Sequence, residues 1–405
     1  MRLNVLSDPG AKGQQRMTTK TAFLPFHLPL IEREEIEAAV QVLESGWLTS
    51  GPKVKEFEEH FAALIRQREI VAVNSATAAL HLALEAIGLR EGDEVIVPTL
   101  TFAATAEVVT YFKARPVLVD SEPEYFGMDP VAVEQAISPK TKAIVPVHFA
   151  GHPCEMDALL DLARAHSIRL IEDAAHAFPA RYKERMIGSI GDVTCFSFYA
   201  TKTITTGGEG GVAATADREI ADRMRIMRLH GINIDAWKRY APSGSWRYQI
   251  LDAGYKYNLT DLAAAIGIAQ LHKCNRMWAR RREIAHRYAR TLAHQEAYVL
   301  PGSSQNVEHS WHLYVILVND CALKIGRDRL IEELTARGVG TSVHFIPLHL
   351  HAYYQQSWDY RPGDFPVAEY YFDRCLSLPI FPGMSDEDVD QVCEALLEIG
   401  REFRR

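Results

Sequence analysis

From Glu94 onward the chain alternates short apolar runs with amphipathic segments, and this alternation restricts the fold more than any other feature. EVIVP, ARPVLVD, KAIVPVHFA and IRLIED read as strands, with helices expected from Ala103 to Phe112, Pro130 to Ile137 and Met156 to His166. Strands without polar alternation bury both faces, and strands joined through helices pair in parallel. The expected class is therefore α/β, a mainly parallel, doubly wound sheet with helices on both sides. Ligands of such sheets sit beyond the carboxyl ends of the strands. Here those ends carry Phe102, Asp120, His148 and Asp173, which should line one crevice.

A second stretch, CFSFYATKTITTGGEGGV from Cys195 to Val212, sets the chemistry. An apolar strand breaks into a loop holding one lysine, Lys202, followed by Gly207, Gly208, Gly210 and Gly211. Partial burial disfavours an ammonium ion and lowers its pKa, as a Schiff-base lysine requires. On its own Lys202 reads equally as a solvated loop residue. The strand IRLIED ends at Asp173, with His176 close behind. A carboxylate there, with a histidine and such a lysine, suits pyridoxal phosphate, whose pyridine nitrogen needs an acidic partner. The plainer reading of Asp173 is a helix N-cap before Ala174-Ala175. NSATAALHLALEAIGL opens a helix after a short strand at Ile70 to Val73, and its first-turn N–H groups around Thr77 form a possible phosphate cradle.

The 405 residues carry a formal net charge of -8 without a basic stripe, which argues against nucleic acid as a partner. No apolar run reaches the roughly 20 residues of a membrane span. Six scattered cysteines without a CxxC pair argue against a zinc site and for a reducing, cytoplasmic setting. GxGxxG and GxxxxGK[ST] signatures are missing, which disfavours dinucleotide and nucleoside-triphosphate sites. The expected organisation is an arm over 1–23, a large domain over 24–275 and a smaller α/β domain over 276–405. The smaller unit is expected to contain SWHLYVILV as a strand, a helix from Arg327 to Arg337, VGTSVHF as a strand and a last helix from Asp386 to Arg401. Before the sheet, REEIEAAVQVLESG has helical spacing of Ile36, Ala39, Val40 and Leu43. A small-residue helix begins after Thr260, a type that often packs against another subunit, and the stretch from Ile232 to Ser245 reads as a surface excursion or lid.

With ESGWLTSGP, NSATAAL, DEVIVPTLTFAATAE, PVHFAG, EDAAHA, SFYATKTITTGGEGG, GYKYNLTDLAAAIG and VHFIPLH in this order, the chain resembles the DegT/StrS sugar-nucleotide aminotransferases from about Leu24 onward. The resemblance implies a fold-type I, pyridoxal-phosphate-dependent transferase, with pyridoxamine phosphate as its alternate form and no metal. Lys202 would carry the cofactor and shuttle the proton. Asp173 would pair with the pyridine nitrogen, His176 would lie near the ring oxygen and Phe102 would stack on the ring. Ala76, Thr77 and Ser197 would hold the phosphate. Lys256 and Asn258 would approach it from the neighbouring subunit of a homodimer. Trp47, Thr49, His344 and His349 are candidate substrate contacts.

The resemblance further implies L-glutamate as donor and a keto-sugar nucleotide as acceptor. EDAAHA, GYKYNLTD and GVGTSVHFIPLHLHAYY look most like enzymes aminating C4 of UDP-linked 4-keto sugars for cell-surface polysaccharide or lipopolysaccharide. FYATKTITTGGEGG looks like enzymes acting on a GDP-linked sugar, and a dTDP-linked keto sugar is a further alternative. A regulatory relative without catalysis is the non-enzyme alternative, against which Lys202 and Asp173 together argue. Relatives that dehydrate sugars carry histidine in place of the lysine. Lys256 and Asn258 stand where many relatives have asparagine and arginine, and the loop after Thr206 is one glycine longer, which bears on Glu209.

Overall fold

The computed structural model describes residues 23–233, 247–302 and 304–405. Residues 1–22 of the expected arm, and the expected excursion from residue 234 on, lie outside the described residues. The large sheet contains β1 (Glu69–Val73), β2 (Glu94–Pro98), β3 (Arg115–Val119), β4 (Thr141–Ile144), β5 (Arg169–Asp173), β6 (Val193–Ser197) and β7 (Gly211–Thr215). Their order is β1-β7-β6-β5-β4-β2-β3, and β7 alone runs antiparallel to its neighbours. The parallel, doubly wound arrangement expected from the alternation is present.

Each strand feeds two cores, because successive side chains point to opposite faces. Val71, Val73 and Val97 join the helix Ala76–Ala86 on one side. Ile70, Ile96 and Phe196 join Phe57 and Phe61 of the helix Pro52–Ile65 on the other. β4 stops at Ile144, short of the expected His148, because Pro146 has no N–H to give the ladder. The path still follows its neighbours: Val145 N donates to Ile96 O (2.8 Å) and Asp173 N to Pro146 O (2.9 Å).

A small antiparallel sheet of Tyr298–Val299, Tyr314–Val318 and Cys375–Leu378 lies under the helices Arg327–Ala336 and Asp386–Glu402, with Ile316, Leu330 and Leu396 at its centre. The stretch VGTSVHF is no strand. It makes two isolated bridges, Val339 to Leu24 and Ser342 to Ser377. The N-terminal segment crosses it at Gly340, where a Cβ would stand 2.9 Å from Phe26 N.

The helix Asp261–Leu292, capped by Thr260 Oγ1 on Ala263 N (3.2 Å), runs unbroken for 32 residues through the expected division at 275/276. Its first half packs in the large core through Ala264 and Ile268, and its last turns pack in the small one through Ile284 and Tyr288. The small residues serve this chain's own packing: a Cβ on Gly267 would be 2.7 Å from Phe57 and 2.8 Å from Thr206. The helix Arg33–Ser45 carries the reverse surprise. Ile36 (58% exposed), Val40 and Leu43 form an open apolar stripe, while Glu35 is buried against Lys273 Nζ and Gln270 Nε2, both at 2.8 Å.

Candidate active site

Beyond the carboxyl ends of the strands lies a cavity of about 500 Å³. Ala76, Thr77, Phe102, Asp173, His176, Ser197, Lys202 and His344 line it, as do Glu209, Ser75, Thr101, Tyr199, Thr201, His312 and Phe345. Eight of the thirteen expected site residues thus meet in one place, brought from five separate stretches of the chain.

Local folding explains each position. After β6 the chain turns back on itself: Phe198 N donates to Gly210 O (2.8 Å) and Ala200 N to Gly208 O (3.0 Å). Thr205 Oγ1 donates to Phe198 O (3.1 Å) and Thr206 Oγ1 to Glu209 O (2.7 Å), closing the loop from within. Gly207 and Gly208 have φ of 93° and 146°, a region that side chains disfavour. Lys202 is thereby held half-buried over the cavity, and its Nζ has no hydrogen bond among the described residues. Burial lowers the Lys202 pKa to about 8, and the nearby Asp173 carboxylate opposes that shift.

Asp173 ends β5 and is buried. Its Oδ2 accepts from Thr105 Oγ1 (2.7 Å) and its Oδ1 from Ala175 N (3.1 Å). Burial raises its pKa, while both hydrogen bonds and the Lys202 charge work the other way. The cap-like bond to Ala175 exists, yet no helix follows. The adjacent Glu172 points to the opposite face, where His148 Nε2 (2.9 Å), Thr194 Oγ1 (2.6 Å) and Gly191 N (2.7 Å) satisfy it. His148 also accepts from Cys154 N (3.1 Å), so both its ring nitrogens are engaged inside the protein.

The helix Ala76–Ala86 opens at the cavity. Ser75 Oγ accepts from Ala78 N (3.1 Å), which leaves the Ala76 and Thr77 amides without intrahelical partners. β7 begins at Gly211, where a Cβ would stand 2.7 Å from Ala76 N, so glycine lets the helix start approach β6 and Ser197. Paired free amides, two hydroxyls and a helix N-terminus fit a phosphate group.

Phe102 is 62% exposed at the cavity, which removes core packing as its explanation. His176 is buried, stacks on Phe345 (5.8 Å, 27°) and leaves Nδ1 without a partner. Burial, then the Lys202 charge, pushes its pKa well below the usual range. His344 bonds Ser377 Oγ through Nδ1 (2.8 Å), and burial lowers its pKa to about 4.

The remaining five expected residues lie outside this cavity. His349 is fully buried, with Nδ1 on Thr99 Oγ1 (2.7 Å) and Nε2 on Glu369 Oε1 (2.9 Å), a structural setting. Trp47 Nε1 donates to Ser50 O (3.2 Å), and Thr49 is exposed, its carbonyl accepting from Asp261 N (3.2 Å). Asn258 Nδ2 donates to Ser50 Oγ (2.7 Å), and Lys256 is exposed. Thr105, Thr101, His312 and Phe345 were not anticipated. For Thr105 the signal was available: it follows Phe102 by three residues, one turn along the helix Ala103–Thr110.

The residues present fit pyridoxal phosphate: an anion cradle at one end, a buried carboxylate at the other, an exposed aromatic face and a lysine held toward neutrality. Comparison with known proteins agrees. The pattern of the DegT/DnrJ/EryC1/StrS aminotransferase family matches residues 29–397. The spore coat polysaccharide biosynthesis protein SpsC of Bacillus subtilis is 49% identical over 378 residues, 93% of this chain and 97% of that protein. An uncharacterized protein of Methanocaldococcus jannaschii is 50% identical over 385 residues, 95% of this chain and 100% of that one. Among solved structures, Streptococcus pneumoniae Spr1654, described as a sugar aminotransferase, superimposes with a TM-score of 0.87 in its PMP form, at 36% identity over 94% of this chain and 99% of that one. Its PLP form gives the same TM-score at 34% identity, with the same shares covered. The chain belongs to the DegT/DnrJ/EryC1/StrS family and is a pyridoxal-phosphate-dependent aminotransferase.

Proposed function

We propose that the protein moves an amino group from L-glutamate to C4 of a UDP-linked 4-keto sugar destined for a surface polysaccharide. The carrying observation is the placement of Lys202 and Asp173 on one cavity of about 500 Å³. The name of SpsC, a spore coat polysaccharide protein, supports a polysaccharide precursor as the product's fate. Helicobacter pylori PseC, an aminotransferase of pseudoaminic acid biosynthesis, superimposes with a TM-score of 0.86 at 27% identity over 95% of this chain and 100% of that one, which supports a sugar acceptor.

Bound pyridoxal phosphate supplies an aldehyde that captures amines and a ring that withdraws electrons as a proton leaves. The chain's own residues do the rest. Lys202 Nζ, held to about 8, accepts a proton from the donor's α-carbon and returns one on the far side of the transfer. Asp173 would hold the ring N–H, fixed in orientation by Thr105 and Ala175. The Ala76 and Thr77 amides and Ser197 would bind the phosphate, and Phe102 would cover the ring.

Two copies would complete the site. The exposed stripe of Ile36, Val40 and Leu43 would seat the second copy, and Lys256 and Asn258 would reach the neighbouring site. The test is a panel of UDP-, GDP- and dTDP-linked 4-keto sugars with L-glutamate, read as 2-oxoglutarate release. Turnover of 3-keto sugars alone overturns the C4 assignment, and preference for GDP- or dTDP-sugars overturns the nucleotide. K202A should release no 2-oxoglutarate with any member.

A further inference from the structure

His344 lines the cavity with one ring nitrogen engaged and the other open. Its Nδ1 lies 2.8 Å from Ser377 Oγ. Its Nε2 has no partner among the described residues and is not a buried orphan, so it stays accessible in a residue that borders the cavity. The residue is held from several sides. Its carbonyl accepts from Tyr371 OH (3.2 Å), and its ring packs on Phe26 (5.6 Å, 33°) and edge-on to Phe345 (5.1 Å, 84°). Ser377 is fixed in turn, fully buried in the strand Cys375–Leu378. Its N donates to Ser342 O (2.8 Å) and its O accepts from Ser342 N (3.2 Å).

The direction of the Ser377–His344 bond decides what the open nitrogen can do. A neutral imidazole has one N–H and one bare nitrogen, whereas a hydroxyl always brings a proton. His344 Nδ1 is the one partner of the Ser377 hydroxyl among the described residues. Were Nδ1–H the donor, the serine proton would be buried without an acceptor, an arrangement that folded proteins avoid. With Ser377 donating, every proton at the contact is satisfied. Nδ1 is then the bare nitrogen, and Nε2 carries the hydrogen. Burial, with the Lys202 charge behind it, keeps the ring neutral at pH 7. The other tautomer would put a bare Nε2, a second base, on the same cavity as Lys202.

We propose that Ser377 is a positioning residue that fixes His344 as an Nε2–H donor, and that His344 thereby binds an oxygen of the substrate and takes no proton from it. Acceptors of this chemistry are the α-carboxylate of the amino donor and the oxygens of the keto sugar. The inference rests on the aminotransferase reading of the cavity, and it is independent of the nucleotide that the sugar carries.

The tautomer is read from nitrogen-15 spectra of the full-length enzyme labelled at histidine, without substrate, with the His344 signals assigned by their loss in H344F. In the wild type the protonated, pyrrole-type nitrogen should be Nε2 and the bare, pyridine-type one Nδ1. In S377A the Nδ1 signal should move to higher frequency as its hydrogen bond is lost, and S377T should hold it nearer the wild-type position. A proton on Nδ1 in the wild type overturns the proposal.

The binding role is read from the two half-reactions, followed by cofactor absorbance, with L-glutamate on the pyridoxal form and the keto sugar on the pyridoxamine form. H344F should raise the half-saturating concentration about tenfold or more in one of them, with the limiting rate within about threefold. H344Q, which keeps an N–H, should recover part of that loss. A rise for L-glutamate places the bound oxygen on the carboxylate, and a rise for the keto sugar places it on the sugar. A collapse of the limiting rate in both variants marks a base and overturns the proposal, as does unchanged half-saturation in both half-reactions. A wild type inert to L-glutamate counts against that donor, and the spectrum still decides the tautomer. Should S377A not fold, the wild-type spectrum and the His344 variants decide alone.

Discussion

Replacing Thr105 by valine removes one hydroxyl from a fully buried position and nearly nothing else. That hydroxyl donates to Asp173 Oδ2 at 2.7 Å and contacts Thr101 Oγ1 at 2.8 Å. A hydrogen bond to a buried charged group contributes about 1.5 to 3 kcal/mol. That corresponds to roughly 10- to 150-fold in the preference for the ionised carboxylate. Burial already raises the Asp173 pKa, and losing Thr105 pushes it further in the same direction. The carboxylate then stays protonated to higher pH and cannot accept the cofactor's ring proton. Pyridoxal phosphate affinity should fall most at low pH and recover as pH rises through the raised value. Absorbance titration of cofactor-free T105V with pyridoxal phosphate from pH 5.5 to 8.5 measures this. An affinity within twofold of wild type over the whole range would refute the reasoning.

Three further outcomes are expected. D173N should abolish activity yet raise the Tm of the cofactor-free protein: burial raises the Asp173 pKa, so its destabilising charge grows in as pH climbs above the ordinary carboxylate range. Calorimetry should find the gain large at pH 8 and small near pH 4; an equal gain at both would contradict it. H349N should leave kcat/KM within about threefold while lowering stability by about 1 to 3 kcal/mol, because a buried, doubly bonded ring is lost outside the cavity; urea titration reads the second effect, and a collapse of kcat/KM at unchanged stability would restore a substrate role. On the proposed dimer, charging the open stripe as I36K/V40K/L43K should shift sedimentation toward monomer and cut activity, as the proposed reach of Lys256 and Asn258 into the neighbouring site requires; sedimentation unchanged from wild type would place the contact elsewhere.

The sheet was legible because parallel strands are read from uninterrupted apolar runs, and the stretches holding Asp173 and Lys202, read as facing one crevice, line one cavity. Strand ends and glycine turns are local signals, and of the residues read from them Lys202, Asp173 and Phe102 share the cavity, whereas Asp120 accepts from Val367 N and Ala368 N and His148 is held by Glu172. His349 could not be placed the same way: whether a histidine in an apolar run faces a ligand or an internal acceptor depends on Thr99 and Glu369, 250 and 20 residues away. VGTSVHF has strand composition, but the partner it meets is the irregular segment at Leu24 and Phe26, contacts no local pattern encodes. Ile36, Val40 and Leu43 have the spacing of a core-facing helix, and periodicity cannot say whether the facing surface belongs to the same chain.

The helix Asp261–Leu292 is about 48 Å long at 1.5 Å per residue, and it is rooted in both cores. A gene cut anywhere along its middle would yield two fragments, each with a greasy half-helix and an open seam. Neither fragment is expected to be recovered in soluble form, and any opening of the two halves for substrate entry must flex in the connecting loops while this shaft turns as one piece.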